Sequence, residues 1–243
     1  MERYLYTSMS GALHTMNAQR VHANNLANSS THGFRRDMET AASYQVEGAG
    51  LQTRFLSETS QPVTDFTPGR LETTGRDLDV GIRGPGFIAV VDAQGNEAYT
   101  RAGNLQVTQD GALLSQGRQV LGAGGELNVP EYRAITFGND GRVSIVPPGG
   151  GGQLEVGQIK LVNPDIQNVV KGQDGLFRLQ EGGEAPAAPE VVLASGHLEQ
   201  SNVNPVDEMV ATMSLSRTFE IQLKMMKAAD ENSSAGNRLV RGS

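Results

Sequence analysis

The C-terminal stretch of the chain has the residue pattern of one long helix. Pro205 stands where a helix begins well, because its missing N–H would have no intrahelical partner at that position. Asp207 and Glu208 follow in the first turn, where acidic side chains complement the positive end of the helix dipole. No glycine or proline then interrupts the chain before Gly236. We therefore predict a helical C-terminal arm within residues 198–243.

Apolar residues occupy two sides of this predicted helix. At about 100° per residue, one set lies nearly opposite the other. The first set is Val206, Met209, Val210 and Met213, and the second is Leu215, Phe219, Leu223 and Met226. A helix that is apolar on two sides has to be covered on both. Two interpretations stay open: a central helix in an ordinary core, or a helix packed between neighbouring subunits of an assembly.

The first residues of the chain show a second helical pattern. Mostly apolar residues recur at alternating intervals of four and three, which is typical of a heptad seam. The seam consists of Leu5, Met9, Ala12, Met16, Gln19, Ala23 and Leu26. Turn-forming residues follow from Asn28 to Thr31, and Gly33 can adopt a positive φ. We predict an N-terminal helical arm over residues 1–34 that packs with the C-terminal arm as a coiled-coil-like pair.

The chain between the two arms has short extended runs and many turn signals. We predict an extended connector with short strands over residues 35–76, with a short helical continuation from Met38 to Tyr44 as the alternative. From residue 77 to 197, strand-like runs alternate with glycine turns, which indicates an antiparallel β-rich domain. The hairpin turns are predicted at Asp92–Asn96, Asp110–Gly111, Asp140–Gly141 and Asp174–Gly175, and the last strand at Val191–Ala194. The fold class is therefore α+β, with a helix at each end.

Composition narrows the range of functions. The 243 residues include 30 glycines and no cysteine, and the formal net charge is −7. The absence of cysteine excludes disulfides, thiolate nucleophiles and thiolate metal ligands, and the acidic balance without a basic stripe disfavours nucleic acid as a partner. The four histidines lack the spacing of a zinc pair. We predict no catalytic centre, no metal and no cofactor, and no stretch is apolar enough for membrane insertion.

Three stretches together resemble the family of bacterial flagellar rod and hook proteins. The first is the N-terminal arm, above all residues 23–28 with Thr31, Gly33 and Phe34. The second comprises Leu78–Val80, Gly84–Phe87 and Tyr99–Asn104, and the third is Leu198–Asn204 with the helix after it. The similarity covers nearly the whole chain in the family's order. Residues 219–232 are more similar to the proximal-rod members than to the distal-rod members.

The resemblance implies a structural subunit of the proximal rod, the drive shaft that carries motor torque across the periplasm. It implies assembly with further copies and with other proximal- and distal-rod proteins, and delivery by the flagellar type III export apparatus without a cleaved signal peptide. The expected assembly interface takes residues from both arms: Leu5, Met9, Ala12, Met16, Asn24, Asn25, Leu26, Asn28, Phe34, Val206, Met209, Val210, Met213, Leu215, Phe219, Leu223 and Met226. The alternatives are a distal-rod or hook homologue, and a secreted β-domain adhesin or cell-wall protein.

Overall fold

The chain folds into two compact units in the computed structural model, which describes residues 2–45, 55–59 and 62–241. Unit 1 is Met1–Asn28, Asp37–Asp65 and Val203–Ser243, and unit 2 is Ser29–Arg36 and Phe66–Asn202. The predicted α+β class, with a helix at each end and antiparallel β structure between them, is confirmed. The boundaries of the units differ from the predicted divisions at 34, 76 and 197, because unit 2 also includes residues that flank both helices.

Two helices dominate unit 1. Helix α1 spans Glu2–Ala27 and helix α2 spans Pro205–Arg241. Before α2, the Asn204 side-chain oxygen accepts a hydrogen bond from the Val206 N–H at 3.1 Å, which caps the helix. Helix α1 ends earlier than the predicted arm, because the residues after Ala27 form turns. Across the described residues, neither helix combines the length and the apolar content that a bilayer-spanning segment requires.

The two helices pack against each other in antiparallel orientation. Thr15 Oγ1 lies 3.2 Å from Gln222 Oε1, and Gln19 Nε2 donates to Ser216 Oγ at 3.1 Å. Further along, His22 Nδ1 lies 2.5 Å from the buried Glu208 carboxylate. Polar side chains on both helices therefore contribute to the seam between them.

The side of α1 that contacts α2 differs from the predicted heptad seam. Ala12, Thr15 and Ala18 are buried, whereas Met9 and Met16 are 55% and 50% exposed. A methyl group at Gly11 would lie 3.1 Å from Gln222 Nε2, so α2 approaches this small position closely. The helix is thus rotated by roughly 80° from the predicted seam, at about 100° per residue. Close approach and hydrogen bonds determine this contact, and the larger methionines stay outside it.

Short strands complete the described part of unit 1. Strand β1 (Asp37–Met38) pairs with β4 (Val63–Thr64), and β2 (Ala41–Gln45) pairs with β3 (Phe55–Thr59), both antiparallel. The alternative of a helical continuation through residues 38–44 is therefore wrong. Asn25 explains why the chain turns into a strand here: its side chain donates to the Asp37 carbonyl at 2.8 Å and accepts from the Asp37 N–H at 3.0 Å.

Unit 2 is built from short antiparallel strands. In chain order they are β5 (Leu71–Thr73), β6 (Val80–Arg83), β7 (Phe87–Val91), β8 (Glu97–Thr100), β9 (Leu105–Val107), β10 (Leu113–Ser115), β11 (Arg118–Gln119), β12 (Leu121–Gly122), β13 (Gly125–Glu126), β14 (Ala134–Phe137), β15 (Arg142–Val146), β16 (Leu154–Gln158), β17 (Leu161–Val162), β18 (Val169–Lys171), β19 (Phe177–Leu179), β20 (Val192–Ser195) and β21 (His197–Glu199). A 3-10 helix, Ile166–Asn168, precedes β18. The largest sheet has five strands in the order β17-β7-β8-β19-β18.

Strand β7 explains how this unit buries its core. Its residues alternate between two clusters: Ile88 and Val90 belong to one, and Phe87 and Ala89 to the other. Side chains of a strand point alternately to opposite faces of the sheet. A strand covered on both faces therefore needs a continuous apolar run, and FIAVV supplies it.

The predicted hairpins of unit 2 are confirmed. The turn at Asp92–Asn96 joins β7 to β8, and the three Asp-Gly turns join β9 to β10, β14 to β15 and β18 to β19. The predicted last strand is not the last one, because β21 follows β20 and pairs with β5. Strand β5 lies within the predicted connector, where short strands were expected, but its three residues carry too little periodicity to identify β21 as the partner strand.

Gly103 provides a test of the packing of unit 2. A methyl group at this position would lie 1.5 Å from the Val80 carbonyl oxygen. We expect Gly103→Ala to lower the free energy of unfolding by at least about 1 kcal/mol, because the backbone has to move to relieve the clash. Urea unfolding followed by circular dichroism measures the change. Gly124→Ala is the control, because nothing lies within 4 Å of its added methyl group. Equal stability of the two variants would contradict the close packing.

Candidate assembly surface

The three stretches that carry the family resemblance meet inside unit 2. Arg35 comes from the segment after α1, Arg101 directly follows β8, and Glu199 ends β21. Their side chains are only 2%, 3% and 1% exposed. Three charged residues that are distant in sequence are therefore buried together.

The Glu199 carboxylate bridges both guanidinium groups. Its Oε1 lies 2.6 Å from Arg35 Nη2, and its Oε2 accepts from Arg101 Nε at 2.8 Å. The Gly69 N–H also donates to Oε1 at 2.8 Å. The remaining nitrogens of Arg101 donate to the carbonyl oxygens of Gly84 and Gly86 at 2.7–2.8 Å. Each carboxylate oxygen is thus engaged, as a buried charge requires.

Burial lowers the pKa of Arg101 from its ordinary value, and the Glu199 carboxylate acts in the opposite direction. A guanidinium remains protonated under physiological conditions, so this group cannot serve as a general base. The cluster has the chemistry of a buried ion-pair anchor: it fixes three chain segments relative to one another and offers no proton-transfer group.

Gly33 brings the segment after α1 into contact with this anchor. Its φ is +71°, a conformation that glycine adopts readily, and its N–H donates to the Glu199 carbonyl at 2.8 Å. A methyl group here would lie 2.3 Å from the Arg101 carbonyl carbon. The glycine of this motif is therefore required for both its backbone conformation and its close contact.

Helix α2 presents the two predicted apolar sides in different environments. Leu215, Phe219 and Met226 are half-buried, and they share the side of Gln222 that contacts α1. The other set is more exposed: Val206 64%, Met209 51%, Val210 62% and Met213 61%. Leu223 is 46% exposed at the edge between them. Helix α1 thus covers one of the two apolar sides of α2.

The predicted interface residues of α1 divide in the same way. Ala12 and Asn25 are buried within unit 1, so neither offers a free surface to a neighbouring molecule. Met9 and Met16 are exposed, and Leu13, which the predicted seam omitted, joins them at 47% exposure. Leu5 lies in the helix, but its side chain is outside the described residues.

The remaining predicted interface residues have contacts within their own units. Asn24 is exposed, and its carbonyl accepts from the Asn28 side chain at 2.9 Å. Leu26 is half-buried. Phe34, in unit 2, is also half-buried, with Lys171 Nζ 3.8 Å from its ring centroid. Their assignment to an intersubunit contact remains a prediction.

Unit 2 contains a cavity with a volume of about 220 Å³. Its lining residues are Arg35, Phe66, Pro68, Gly84, Pro85, Gly86, Phe87, Arg101, Asn163 and Ile166. This lining contains no nucleophile and no carboxylate or imidazole for acid–base chemistry. Over the described ranges, no group of three His, Asp or Glu residues is placed to hold a metal ion.

The sequence reasoning assigned no role to the anchor residues. No structural role was predicted for Arg35, Arg101 or Glu199, because hydrophobic periodicity does not distinguish a buried charge from an exposed one. The sequence position of Arg101 could have indicated a buried ion pair, because it directly follows a strand of buried residues, where a charge needs a partner. The sequence alone does not identify that partner.

The helix pair and the anchor define a class of protein: a structural subunit with terminal helices that expose apolar surface and a separate β unit. Matches to known families agree with it. Residues 5–35 match the family described as flagella basal body rod protein, 81–145 the flagellar hook protein FlgE/F/G D1 domain, and 194–239 the flagellar basal body rod FlgEFG protein C-terminal region. Each matched range contributes one residue of the anchor.

Full-length relatives support the same assignment. The chain is 41% identical to the flagellar basal-body rod protein FlgF of Salmonella typhimurium and 40% identical to that of Escherichia coli, with 99% of each chain covered. It is 31% identical to the flagellar basal-body rod protein FlgG of Bacillus subtilis, over 95% of this chain and 96% of the relative. The chain belongs to the flagellar basal-body rod protein family, and its similarity is of the FlgF type.

Substitution of Glu199 tests the anchor. We expect Glu199→Gln to lower the free energy of unfolding by about 3–5 kcal/mol, because two buried guanidinium groups lose their counter-charge. Denaturant unfolding measures the loss. Glu72→Gln is the matched control, because Glu72 is exposed and accepts a hydrogen bond from Gln200 Nε2 at 2.6 Å. This substitution should lower the free energy of unfolding by no more than about 1 kcal/mol. Similar losses in both variants would show that the buried carboxylate has no special role.

Proposed function

We propose that this chain is a structural subunit of the proximal part of the flagellar basal-body rod, the shaft that transmits motor torque across the periplasm. The observation that carries the proposal is the exposed apolar surface of α1 and α2. A group of large, exposed apolar side chains marks a contact site. Each helix has such a group: Met9 and Met16 on α1, and Met209 and Met213 on α2, are each half or more exposed.

The partners follow from this role. The chain assembles with other components of the flagellar rod, in the basal body. Among those components we propose further copies of the chain and both proximal- and distal-rod proteins. We also propose that the chain reaches the rod through the flagellar type III export apparatus, without removal of a signal peptide.

The chemistry of the described residues favours a structural role over an enzymatic one. The cavity of unit 2 is lined mainly by apolar residues, with Asn163 and two arginines, and both arginines are ion-paired with Glu199. The carboxylate that accompanies them is 1% exposed and already bonded, so it is not positioned to act on a substrate. We propose that the chain has no catalytic activity.

A distal-rod homologue is the second candidate, because the chain is also 31% identical to the FlgG protein of Bacillus subtilis. The identity of 40–41% to FlgF proteins, against 31% to the FlgG protein of Bacillus subtilis, favours the proximal position. The presence of the chain in basal bodies that stop before the distal rod would distinguish the two positions.

Met213 offers a direct test of the exposed surface. We expect Met213→Glu to abolish swimming, because a carboxylate would have to be desolvated within an apolar contact. The free energy of unfolding of the purified chain should change by only about 0.5 kcal/mol, because the side chain is 61% exposed. Swimming in soft agar and denaturant unfolding measure the two effects.

Thr218→Glu is the control for this substitution. It places the same carboxylate on the same helix, at an exposed position about 140° around the helix from Met213, and swimming should persist. Normal swimming of the Met213→Glu strain would refute the role of this face in assembly.

A further inference from the structure

The cavity of unit 2 has a charged floor and an apolar mouth. Its floor is formed by buried residues, among them Arg35, Phe87 and Arg101, and its mouth by exposed ones, among them Pro85 and Ile166. At about 220 Å³, the cavity is smaller than the roughly 300–1,000 Å³ of sites that hold drug-sized ligands. It therefore has room for a group about the size of an amino-acid side chain.

The charges at the floor do not balance. Arg35 and Arg101 share a single carboxylate, that of Glu199, so this buried group of three carries a net charge of +1. Lys171 adds a positive charge nearby, because its Nζ donates to the Arg35 carbonyl at 2.7 Å. A buried charge without full compensation is unfavourable, so the floor attracts an anion.

The exposed charges beside the mouth leave this balance unchanged. Arg83 precedes the lining residue Gly84, and Asp165 precedes the lining residue Ile166. The two charges have opposite sign, and the Asp165 carboxylate already accepts a hydrogen bond from the Gln167 N–H at 3.1 Å. Both side chains belong to exposed residues, where solvent and salt screen their effect on the floor.

One guanidinium nitrogen of Arg35 is available for a further acceptor. Its Nη2 lies 2.6 Å from Glu199 Oε1, whereas its Nη1 is buried and has no hydrogen-bond partner among the described residues. Arg101 differs, because its Nε and both of its Nη atoms donate to Glu199, Gly84 and Gly86. A buried donor of the kind found in Arg35 gains stability when an acceptor reaches it.

The walls of the cavity favour the aliphatic part of a ligand. The rings of Phe66 and Phe87 meet edge to face with their centroids 6.4 Å apart, and Pro85 and Ile166 continue the apolar lining to the mouth. Asn163 adds an amide there that can hydrogen-bond to a peptide backbone. An inorganic anion would gain nothing from these walls, whereas a carboxylate on methylene groups uses both the walls and the floor.

We propose that this cavity binds an acidic side chain of a partner protein, with the carboxylate beside Arg35 and a neighbouring apolar residue of the partner against Pro85 and Ile166. A neutral residue in the same place would leave the guanidinium without its acceptor, so the charge provides the specificity. The site rests on the contacts within unit 2. That the partner is another rod component rests on the proposed function.

Two capped tripeptides test the site on the purified full chain. The probe is acetyl-Leu-Glu-Leu-amide, and its neutral counterpart has Gln in place of Glu. Titration followed by the N–H signals of the lining residues Gly84 and Gly86 in NMR spectra gives both affinities. The Glu peptide should bind at least about tenfold more tightly, as expected for a hydrogen bond to a charged group. Equal affinities would overturn the proposal.

Acetate distinguishes a side-chain site from a site for any small carboxylate. It carries the same charge as the Glu peptide but lacks the apolar neighbours, so it should bind at least about tenfold more weakly. Binding of acetate as tight as that of the Glu peptide would contradict the role of the walls and the mouth.

Ile166→Glu and Val170→Glu form a matched pair of variants. The two side chains are 49% and 46% exposed, but only Ile166 lines the cavity. A carboxylate at position 166 repels an anionic ligand and removes apolar contact at the mouth, so the affinity for the Glu peptide should fall at least about tenfold. Val170→Glu should leave it unchanged. An equal effect of both substitutions, or of neither, would refute the assigned position.

Arg35→Lys tests the guanidinium itself. Lysine keeps a positive charge for Glu199 but has no second nitrogen for a ligand. The preference for the Glu peptide over the Gln peptide should fall from at least about tenfold to about threefold or less. An unchanged preference in the folded variant, checked by circular dichroism, would exclude Arg35 as the contact. If the variant does not fold, the result for Ile166→Glu decides.

Swimming connects the site to the rod. A strain with Ile166→Glu should lose swimming in soft agar, and a strain with Val170→Glu should keep it. Normal swimming of the Ile166→Glu strain would show that the partner is not a rod component. If Met213→Glu abolishes swimming but the Glu peptide does not bind, the proposed function stands and this site is wrong. If the peptide binds while the Met213→Glu strain swims normally, the site stands and the helix surface loses its assigned role.

Discussion

The buried Glu199 carboxylate is the interaction on which the arrangement of unit 2 depends. It binds Arg35 and Arg101 at 2.6 and 2.8 Å and accepts from the Gly69 N–H. A buried ion pair adds little net stability when complete, but loss of one partner leaves an uncompensated charge. The segments that carry these groups are therefore held in one arrangement. Two of them lie close in sequence to α1 and α2.

The helix pair of unit 1 has apolar side chains on its outer surface as well as in its seam. The seam combines the polar contacts of Thr15 and His22 with Gln222 and Glu208 and the half-buried Leu215, Phe219 and Met226. The outer surface of the pair carries methionine, leucine and valine. A soluble helical pair ordinarily buries its apolar stripe between the helices. Here the polar contacts align the two helices, and the apolar surface remains available for contacts outside the chain.

Local features of the sequence predicted much of the fold. The start of α2 follows from Pro205, and the hairpins follow from turn residues such as Gly95 and Gly141, both at positive φ. The run FIAVV predicted a buried strand. These features depend on backbone conformations that neighbouring residues determine, so no distant contact is needed to recognise them.

The sequence by itself determined the two helices, the hairpins and the apolar positions that make an assembly subunit plausible. Tertiary structure decided which side of α1 meets α2, because that choice depends on how closely Gln222 approaches Gly11. It also decided that Asn25 is buried while Met9 is exposed, and that β5 pairs with β21. The ion pair between Arg35 and Glu199 is likewise decided by the tertiary structure. A charged residue in a sequence specifies the sign of its partner but not its position, and only the folded chain supplies that position.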